Sequence, residues 1–297
     1  MNNRLKFSQR HPFLFTLGVV IVAMILFVGI MAFFKFKVKG FLLEKNKIGL
    51  VNIYGVITDS RQVLRWIDKL KEDPDIKGVI VRINSPGGSV AASQEIYQAI
   101  KELSFIKPVV VSMGDIAASG GYYIACGATK IIANPGTITG SIGVIAKLPN
   151  IKKLLDKLGV KDEIIASGKY KATGAITKEL SKEEKAYIQS LVNDLHDQFV
   201  RAVSEGRHLP LDKVRKLANG KVYTGRQAKE LGLVDMLGNF DTAIREIKRL
   251  CKIKGKVFIV EGPKRKPLLW SLLFGNRTCE DSMISIDLLR RILCTPF

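Results

Sequence analysis

The chain has 297 residues, of which 47% are hydrophobic. This content is enough for a substantial core and excludes an intrinsically disordered protein. Its 47 lysines and arginines outnumber 27 acidic residues and give a formal charge of +20. Such a charge suits a nucleic acid, an anionic membrane surface or an acidic substrate as partner, and the first element of the chain favours the membrane.

That first element is an apolar segment close to the N-terminus. From Phe13 to Phe34 no residue is charged, and a helix over this stretch would span about 33 Å at roughly 1.5 Å per residue, enough to cross a bilayer. The segment does not end in the small-residue pattern of a cleavage site. We therefore predict a short tail at residues 1–12 and an uncleaved transmembrane anchor at 13–34. Its orientation stays open, because lysines and arginines are balanced on its two sides.

A basic connector at residues 35–46 leads into alternating strands and helices, which is typical of βαβ units and a largely parallel sheet. Predicted strands cover Ile48–Val56, Gly78–Ile83, Val109–Ser112, Lys130–Ala133, Gly143–Ala146 and Lys256–Val260. Apolar residues at helical spacing predict helices near Val63–Leu70, Ile96–Leu103, Ser181–Glu205, Leu211–Ala218, Gly225–Leu231 and Asp241–Cys251. The expected fold is one α/β domain at residues 47–262. A tail at 263–297 would lie on a membrane surface, cover a groove or be poorly ordered.

The first motif suited to catalysis is Asn84-Ser85-Pro86-Gly87-Gly88-Ser89, which follows a predicted strand and precedes a helix. Its glycines let the backbone turn sharply, and the start of the helix adds a partial positive charge. The loop could therefore hold a developing oxyanion, or it could be only a tight turn. It matches neither a phosphate-binding loop nor a dinucleotide fingerprint, so no nucleotide cofactor is expected.

The second motif runs from Gly114 to Tyr123 and places Ser119 at the start of a predicted helix, among small residues. Ser119 is a candidate nucleophile, and the alternative is a serine that caps the helix. The order Ala-Ser-Gly-Gly differs from the Gly-x-Ser-x-Gly turn of α/β-hydrolases.

A serine nucleophile needs a base, and the three histidines of the chain are poorly placed for that role. A glycine-bearing loop offers Lys169 and Lys171 instead. An ordinary lysine has a pKa of about 10.4, so a neutral amine at pH 7 requires burial or a neighbouring cation. Without such shelter, the loop would be only a solvated basic surface. The four cysteines have neither zinc-site nor disulfide-scaffold spacing, so no metal is expected, and Cys126 and Cys251 are predicted to be buried thiols.

Together with Gly140-Ser141-Ile142-Gly143-Val144 and Tyr223–Asp235, these motifs resemble those of the short-form signal peptide peptidase family, in order and in spacing. The resemblance implies a Clp-protease/crotonase-like fold with Ser119 as nucleophile and the N–H groups of Gly88 and Gly120 as oxyanion hole. The Ser-Gly-x-x-Lys pattern of the family implies Lys171 as the base.

The resemblance also implies a serine peptidase without cofactor, in the bacterial cytoplasmic membrane. One helix would anchor it in the lipid bilayer, with the catalytic domain outside the cytoplasm. Homo-oligomeric rings that cleave apolar peptides such as signal peptides are expected, with no nucleic-acid partner. Two alternatives remain: a peptidase of the same fold with a specific membrane-protein substrate, and an inactive membrane scaffold.

Overall fold

The computed structural model describes residues 12–41 and 46–263. The helices are α1 (Pro12–Phe41), α2 (Arg61–Glu72), α3 (Val90–Ile106), α4 (Gly120–Ala125), α5 (Lys152–Lys157), α6 (Lys182–Arg207), α7 (Leu211–Leu217), α8 (Gly225–Leu231) and α9 (Phe240–Leu250). The strands are β1 (Lys47–Tyr54), β2 (Ile76–Ser85), β3 (Val109–Ala118), β4 (Lys130–Ala133), β5 (Ile138–Gly140), β6 (Val222–Thr224), β7 (Met236–Leu237) and β8 (Phe258–Gly262).

All eight strands belong to one sheet, in the order β6-β5-β3-β2-β1-β8, and β4 pairs with both β3 and β7. Only the β5–β6 pairing is antiparallel among these strands. The predicted α/β class and the largely parallel sheet are confirmed.

The central strands are nearly continuous apolar runs because both faces of the sheet are covered, as is usual for parallel strands. On one face, α2, α3 and α4 pack over buried residues that include Val51, Val81 and Val111. On the other face, Ile247 of α9 packs against a smaller cluster that includes Ile80. Because helices cover both faces, the loops lie at the two edges of the sheet where the strands begin and end. The carboxyl edge carries the candidate catalytic loops.

Most predicted elements occur, but one predicted strand is absent, and the short elements α5 and β6 were not predicted. The segment Gly143–Ala146 is not a strand, and the fifth strand lies instead at Ile138–Gly140, where it continues the sheet beside the last residues of β3. The C-terminal strand begins at Phe258, two residues after the predicted start.

The apolar segment near the N-terminus forms α1, and its described side chains, from Phe13 to Phe33, are exposed. Within the two described ranges, no helix qualifies by length and apolar character as a membrane span. The predicted tails lie outside these ranges, except for Pro12 and Pro263 at their inner ends.

Candidate active site

The candidate nucleophile sits in a strained backbone position at the carboxyl edge of the sheet. Strand β3 ends at Ala118 and α4 begins at Gly120, so Ser119 alone makes the turn between them, with φ 52° and ψ −121°. Its N–H donates to the Gly140 carbonyl at 2.9 Å, which fixes the turn against β5. A non-glycine residue in such a conformation costs on the order of 1–3 kcal/mol, and strain of this kind is concentrated at functional sites.

The Ser119 side chain does not cap the helix, which was the alternative to its role as a nucleophile. Ser119 occupies the position before the first turn of α4, and its carbonyl accepts the Tyr123 N–H at 2.8 Å. Its hydroxyl, however, makes no capping hydrogen bond. Ser119 is half-buried, and its hydroxyl is not used by the helix.

The glycine loop after β2 lies directly against this turn. Gly87 has φ 102°, and a Cβ built on it would lie 2.7 Å from the Gly120 nitrogen and 2.8 Å from the Ser119 Cβ. A Cβ built on Gly120 would lie 3.3 Å from the Gly88 nitrogen. A side chain at Gly87 would therefore collide with Ser119 and Gly120, and one at Gly120 would press on the Gly88 nitrogen, so this close approach needs glycine at both positions.

Two unpaired donors result from this contact. The N–H groups of Gly88 and Gly120 are neighbours, and neither donates a hydrogen bond to any residue within 46–263. Gly88 is exposed at the surface, and Gly120 is buried behind it. Paired backbone donors beside a serine hydroxyl are the arrangement that stabilises the oxyanion of acyl transfer.

Two serines to which the sequence analysis assigned no role support the loop. The Ser85 hydroxyl accepts the Gly87 N–H at 3.1 Å, and the buried Ser93 donates to the Ser89 carbonyl at 2.8 Å. Ser85 lies inside the quoted glycine motif, so its presence there was a signal. Ser93 falls in a plain helical pattern and gave none.

Helix α4 is anchored by a buried polar cluster below the nucleophile. The Tyr122 hydroxyl donates to the Leu233 carbonyl at 2.9 Å. Burial raises the pKa of the Cys126 thiol to about 12, so this thiol stays neutral and is not a second nucleophile. The prediction of a buried thiol is confirmed for Cys126, whereas Cys251 is only half-buried.

The candidate bases lie in an exposed turn. Lys171 is exposed, and its backbone N–H donates to the Gly168 carbonyl at 3.0 Å. The Lys169 ammonium lies 5.5 Å from the centre of the Tyr170 ring. Ser119, Gly87, Gly88 and Gly120 lie in contact with one another. In the described part of the chain, no hydrogen bond joins Lys171 to Ser119.

No metal site accompanies this arrangement within residues 12–41 and 46–263, since no group of three or more His, Cys, Asp or Glu residues there could hold an ion.

Two protein-family models match parts of this chain. Residues 101–254 match the family model Peptidase family S49, and residues 35–137 match the model Clp protease. A protein of Synechocystis sp. that carries the provisional name of a protease is 42% identical over 236 residues, which are 78% of this chain and 84% of the relative.

Two further relatives carry more specific names. A protein of Enterococcus faecium, provisionally named as the signal peptide peptidase SppA, is 38% identical over 254 residues, 80% of this chain and 73% of the relative. The chloroplastic serine protease SPPA of Arabidopsis thaliana is 36% identical over 231 residues, 77% of this chain but 34% of that longer protein.

Proposed function

The chain belongs to peptidase family S49 and is a serine peptidase, and we propose that it is a membrane-anchored endopeptidase that cleaves apolar peptides with a Ser119–Lys171 dyad. The observation that carries the proposal is the pair of unpaired N–H groups, on Gly88 and Gly120, beside a serine hydroxyl that caps nothing. Purely structural turns do not need two unpaired donors next to a strained serine.

The proposed reaction is acyl transfer to water. The Ser119 hydroxyl attacks the peptide carbonyl while its proton passes to the neutral amine of Lys171. The N–H groups of Gly88 and Gly120 hold the negative charge that develops on the carbonyl oxygen, and each such donor is worth about 10²- to 10³-fold in rate. The protonated lysine then gives its proton to the leaving amine, and water releases the acyl-enzyme.

We propose that a neighbouring subunit supplies the lysine. Lys171 lies at the end of a segment, residues 145–171, whose apolar side chains are unusually exposed. Leu158 is 68% exposed and Ile165 is 96% exposed. Exposed apolar side chains of this extent mark interaction surfaces. Packing this segment against the carboxyl edge of another copy would shelter both the apolar side chains and the lysine, and repetition of one such head-to-tail contact closes a ring.

The two lysines of the loop provide a matched pair for testing the base. We expect Lys171→Ala to abolish peptide cleavage and Lys169→Ala to retain a substantial fraction of it. Because the reaction needs a neutral amine, the wild-type cleavage rate should rise with pH on the acid side of its profile. Near-normal cleavage by purified Lys171→Ala would exclude this lysine as the base.

Sharing of the site between subunits is tested by mixing two inactive proteins. Ser119→Ala and Lys171→Ala subunits would be unfolded together in equal amounts and reassembled. Under random mixing, about one interface in four joins an intact serine to an intact lysine, so activity should recover to about a quarter of wild type. A mixed assembly of normal size that stays at the single-variant baseline would show that each subunit holds its own dyad.

The proposed substrates are cleaved signal peptides, on the strength of the name carried by the Enterococcus relative. A panel of synthetic signal peptides should be cut by the purified full chain and left intact by Ser119→Ala. A peptidase of the same fold that is dedicated to one membrane protein would instead leave the whole panel intact while the serine still reacts with a fluorophosphonate.

We propose that α1 is the membrane anchor. Phe27, at 65%, is typical of its exposed apolar side chains, and a helix that is apolar all round requires a nonpolar surrounding. The uncharged stretch from Phe13 to Phe34 favours a span, although no described helix is assigned as one. Alkaline carbonate extraction tests the anchor, because an anchored chain stays in the membrane pellet and a chain without an anchor is released.

The proposed location is the bacterial cytoplasmic membrane, with the catalytic domain outside the cytoplasm. Alkaline phosphatase fused after Val260 should be active in a bacterial host, because this reporter works only outside the cytoplasm. A stable but inactive fusion would place the domain inside.

A further inference from the structure

A basic groove lies at the end of the sheet opposite to the candidate active site. Its volume is about 410 Å³. Five of its six lining residues are cationic, namely Arg245, Lys248, Arg249, Lys252 and Lys254, and the sixth is Ile253. This set, called the basic groove below, contains no acidic residue.

The chain folds these cations together at the C-terminal end of α9. Lys252 has φ 54°, and its N–H donates to the Arg249 carbonyl at 3.2 Å. The next residue, Ile253, donates to the Lys248 carbonyl at 2.9 Å. These bonds turn the segment back over the helix end, so that Lys254, beyond the helix, lines the same groove as Lys248 within it.

Most of this charge is not neutralised. Arg249 pairs with Glu246 at 2.7 Å, whereas Lys248, Lys252 and Lys254 form no salt bridge within residues 46–263. Cations in the last turn of a helix stabilise its dipole, which explains Lys248 and Arg249. That explanation does not extend to Lys252 and Lys254, which lie after the last turn and are exposed.

The sheet places the groove next to the point where the chain arrives from α1. Strands β1 and β8 are parallel, with Lys47 paired to Phe258, and the Phe258 N–H donates to the Asn46 carbonyl at 3.1 Å. Lys254 precedes Phe258 by four residues, so it lies within about 14 Å of it. The stretch between Phe41 of α1 and Lys47 can bridge at most about 20 Å.

The catalytic loops, by contrast, follow the carboxyl ends of β2 and β3. At about 3.3 Å per residue, β2 from Ile76 to Ser85 is roughly 30 Å long. The basic groove and the candidate active site are therefore at opposite ends of the strands, with the groove at the end held close to α1.

We propose that the basic groove binds the phosphate groups of anionic phospholipids, and so seats the amino edge of the sheet on the membrane surface. The proposal rests on the proposed anchoring by α1, which holds the groove within reach of the lipid headgroups. A cation near an anionic bilayer contributes about fivefold to binding at moderate ionic strength. With the amino edge seated on the lipid, the active site faces away from the bilayer by about the length of β2.

The test uses the full chain in a nonionic detergent and counts bound lipids by native mass spectrometry. The probes are short-chain phosphatidylglycerol and, as the neutral comparison, phosphatidylcholine of the same chain length. Lys252→Gln with Lys254→Gln removes two exposed charges from the groove. Lys213→Gln with Lys216→Gln removes two exposed charges from α7 and is the matched control.

Wild type and the control should bind phosphatidylglycerol at least tenfold better than phosphatidylcholine. The groove variant should lose most of this preference for phosphatidylglycerol, whereas the control should keep it. Equal binding of the two lipids by wild type, or equal losses in the two variants, would overturn the proposal. Tripolyphosphate and a single-stranded oligonucleotide are tested in the same way. If either binds the basic groove more tightly than phosphatidylglycerol does, the groove is a site for soluble polyanions and the proposal is wrong.

Failure here can be separated from failure of the proposed function. Peptide cleavage is measured on the same preparations, and carbonate extraction reports the anchor independently. If the protein cleaves peptides and stays anchored but shows no lipid preference, only the proposed lipid binding by the basic groove is refuted.

Discussion

Replacement of Arg207 by methionine should strongly destabilise the protein, because its side chain, 7% exposed, forms a nearly buried ion pair with Asp235. Their charged atoms are 2.9 Å apart, and the Asp235 side chain is 18% exposed. The pair joins the last residue of α6 to the turn after α8, beside the Tyr122 and Cys126 side chains under the nucleophile helix. Arg207→Met keeps most of the volume of the side chain and removes its charge.

The expected loss is about 3 kcal/mol in the free energy of unfolding at pH 7, because removal of one partner leaves a desolvated carboxylate without compensation. This is the lower end of the range for such pairs. Asp235 keeps the hydrogen bond from the Ile131 N–H at 2.8 Å and the Lys130 ammonium at 3.4 Å.

Arg201 on the same helix provides the control. It pairs with Asp197 at 3.0 Å, but the two side chains are 67% and 39% exposed. An exposed pair contributes about 0–1 kcal/mol. Arg201→Met should therefore be nearly neutral, although it removes the same side chain and breaks the same kind of contact.

Urea unfolding of the two variants, followed by far-ultraviolet circular dichroism, measures the difference. Burial alone would raise the pKa of the Asp235 carboxyl, but the hydrogen bond and charge of Arg207 lower this pKa below that of an ordinary aspartate. A lowered pKa stabilises the folded state above about pH 4, and this contribution is lost as the pH falls through the folded pKa. The gap between Arg207→Met and wild type should shrink accordingly in acid. Equal losses in the two variants at pH 7 would refute the reasoning from burial.

Two further predictions concern the packing around the nucleophile. Gly120→Ala should lower both the melting temperature and peptide cleavage, because its methyl group would collide with the Ser93 hydroxyl. Adding Ser93→Ala should recover part of the melting temperature, and strictly additive losses would contradict the collision. In the folded protein, iodoacetamide should modify half-buried Cys251 before buried Cys126, as mapped by mass spectrometry. Modification of Cys126 at the same rate would show that α4 opens readily.

The sequence was sufficient to predict the sheet where local pattern and pairing agree. The apolar run at Val109–Ser112 predicts β3, but the strand continues to Ala118 through residues that read as a loop motif. The last residues of this extension pair with Ile138–Gly140, so the next strand lies there and not at the predicted Gly143–Ala146. The position of a short strand depends on the strand with which it pairs. Here the buried Thr139 hydroxyl donates to the Ala117 carbonyl at 2.7 Å, and local periodicity does not reveal such a contact.

The candidate site also contains one part that agrees with the local sequence pattern and one part that this pattern does not reveal. The proximity of Ser119 and Gly88 agrees with their positions after neighbouring strands, since the carboxyl ends of parallel strands meet at one edge of a sheet. Their catalytic roles came from the family resemblance and stay a prediction. The surroundings of Lys171 could not be predicted from local pattern, because its loop lies on an exposed surface of the subunit. Shelter for this lysine would come from contacts between copies, and one sequence does not encode their geometry locally.

The most direct test of the proposed mechanism is to map the residue that reacts with a fluorophosphonate in the full chain. Ser119 should carry the adduct in wild type and in Lys169→Ala, and Lys171→Ala should react at least a hundredfold more slowly because no base takes the proton. An adduct on another residue, or undiminished labelling of Lys171→Ala, would contradict the Ser119–Lys171 dyad.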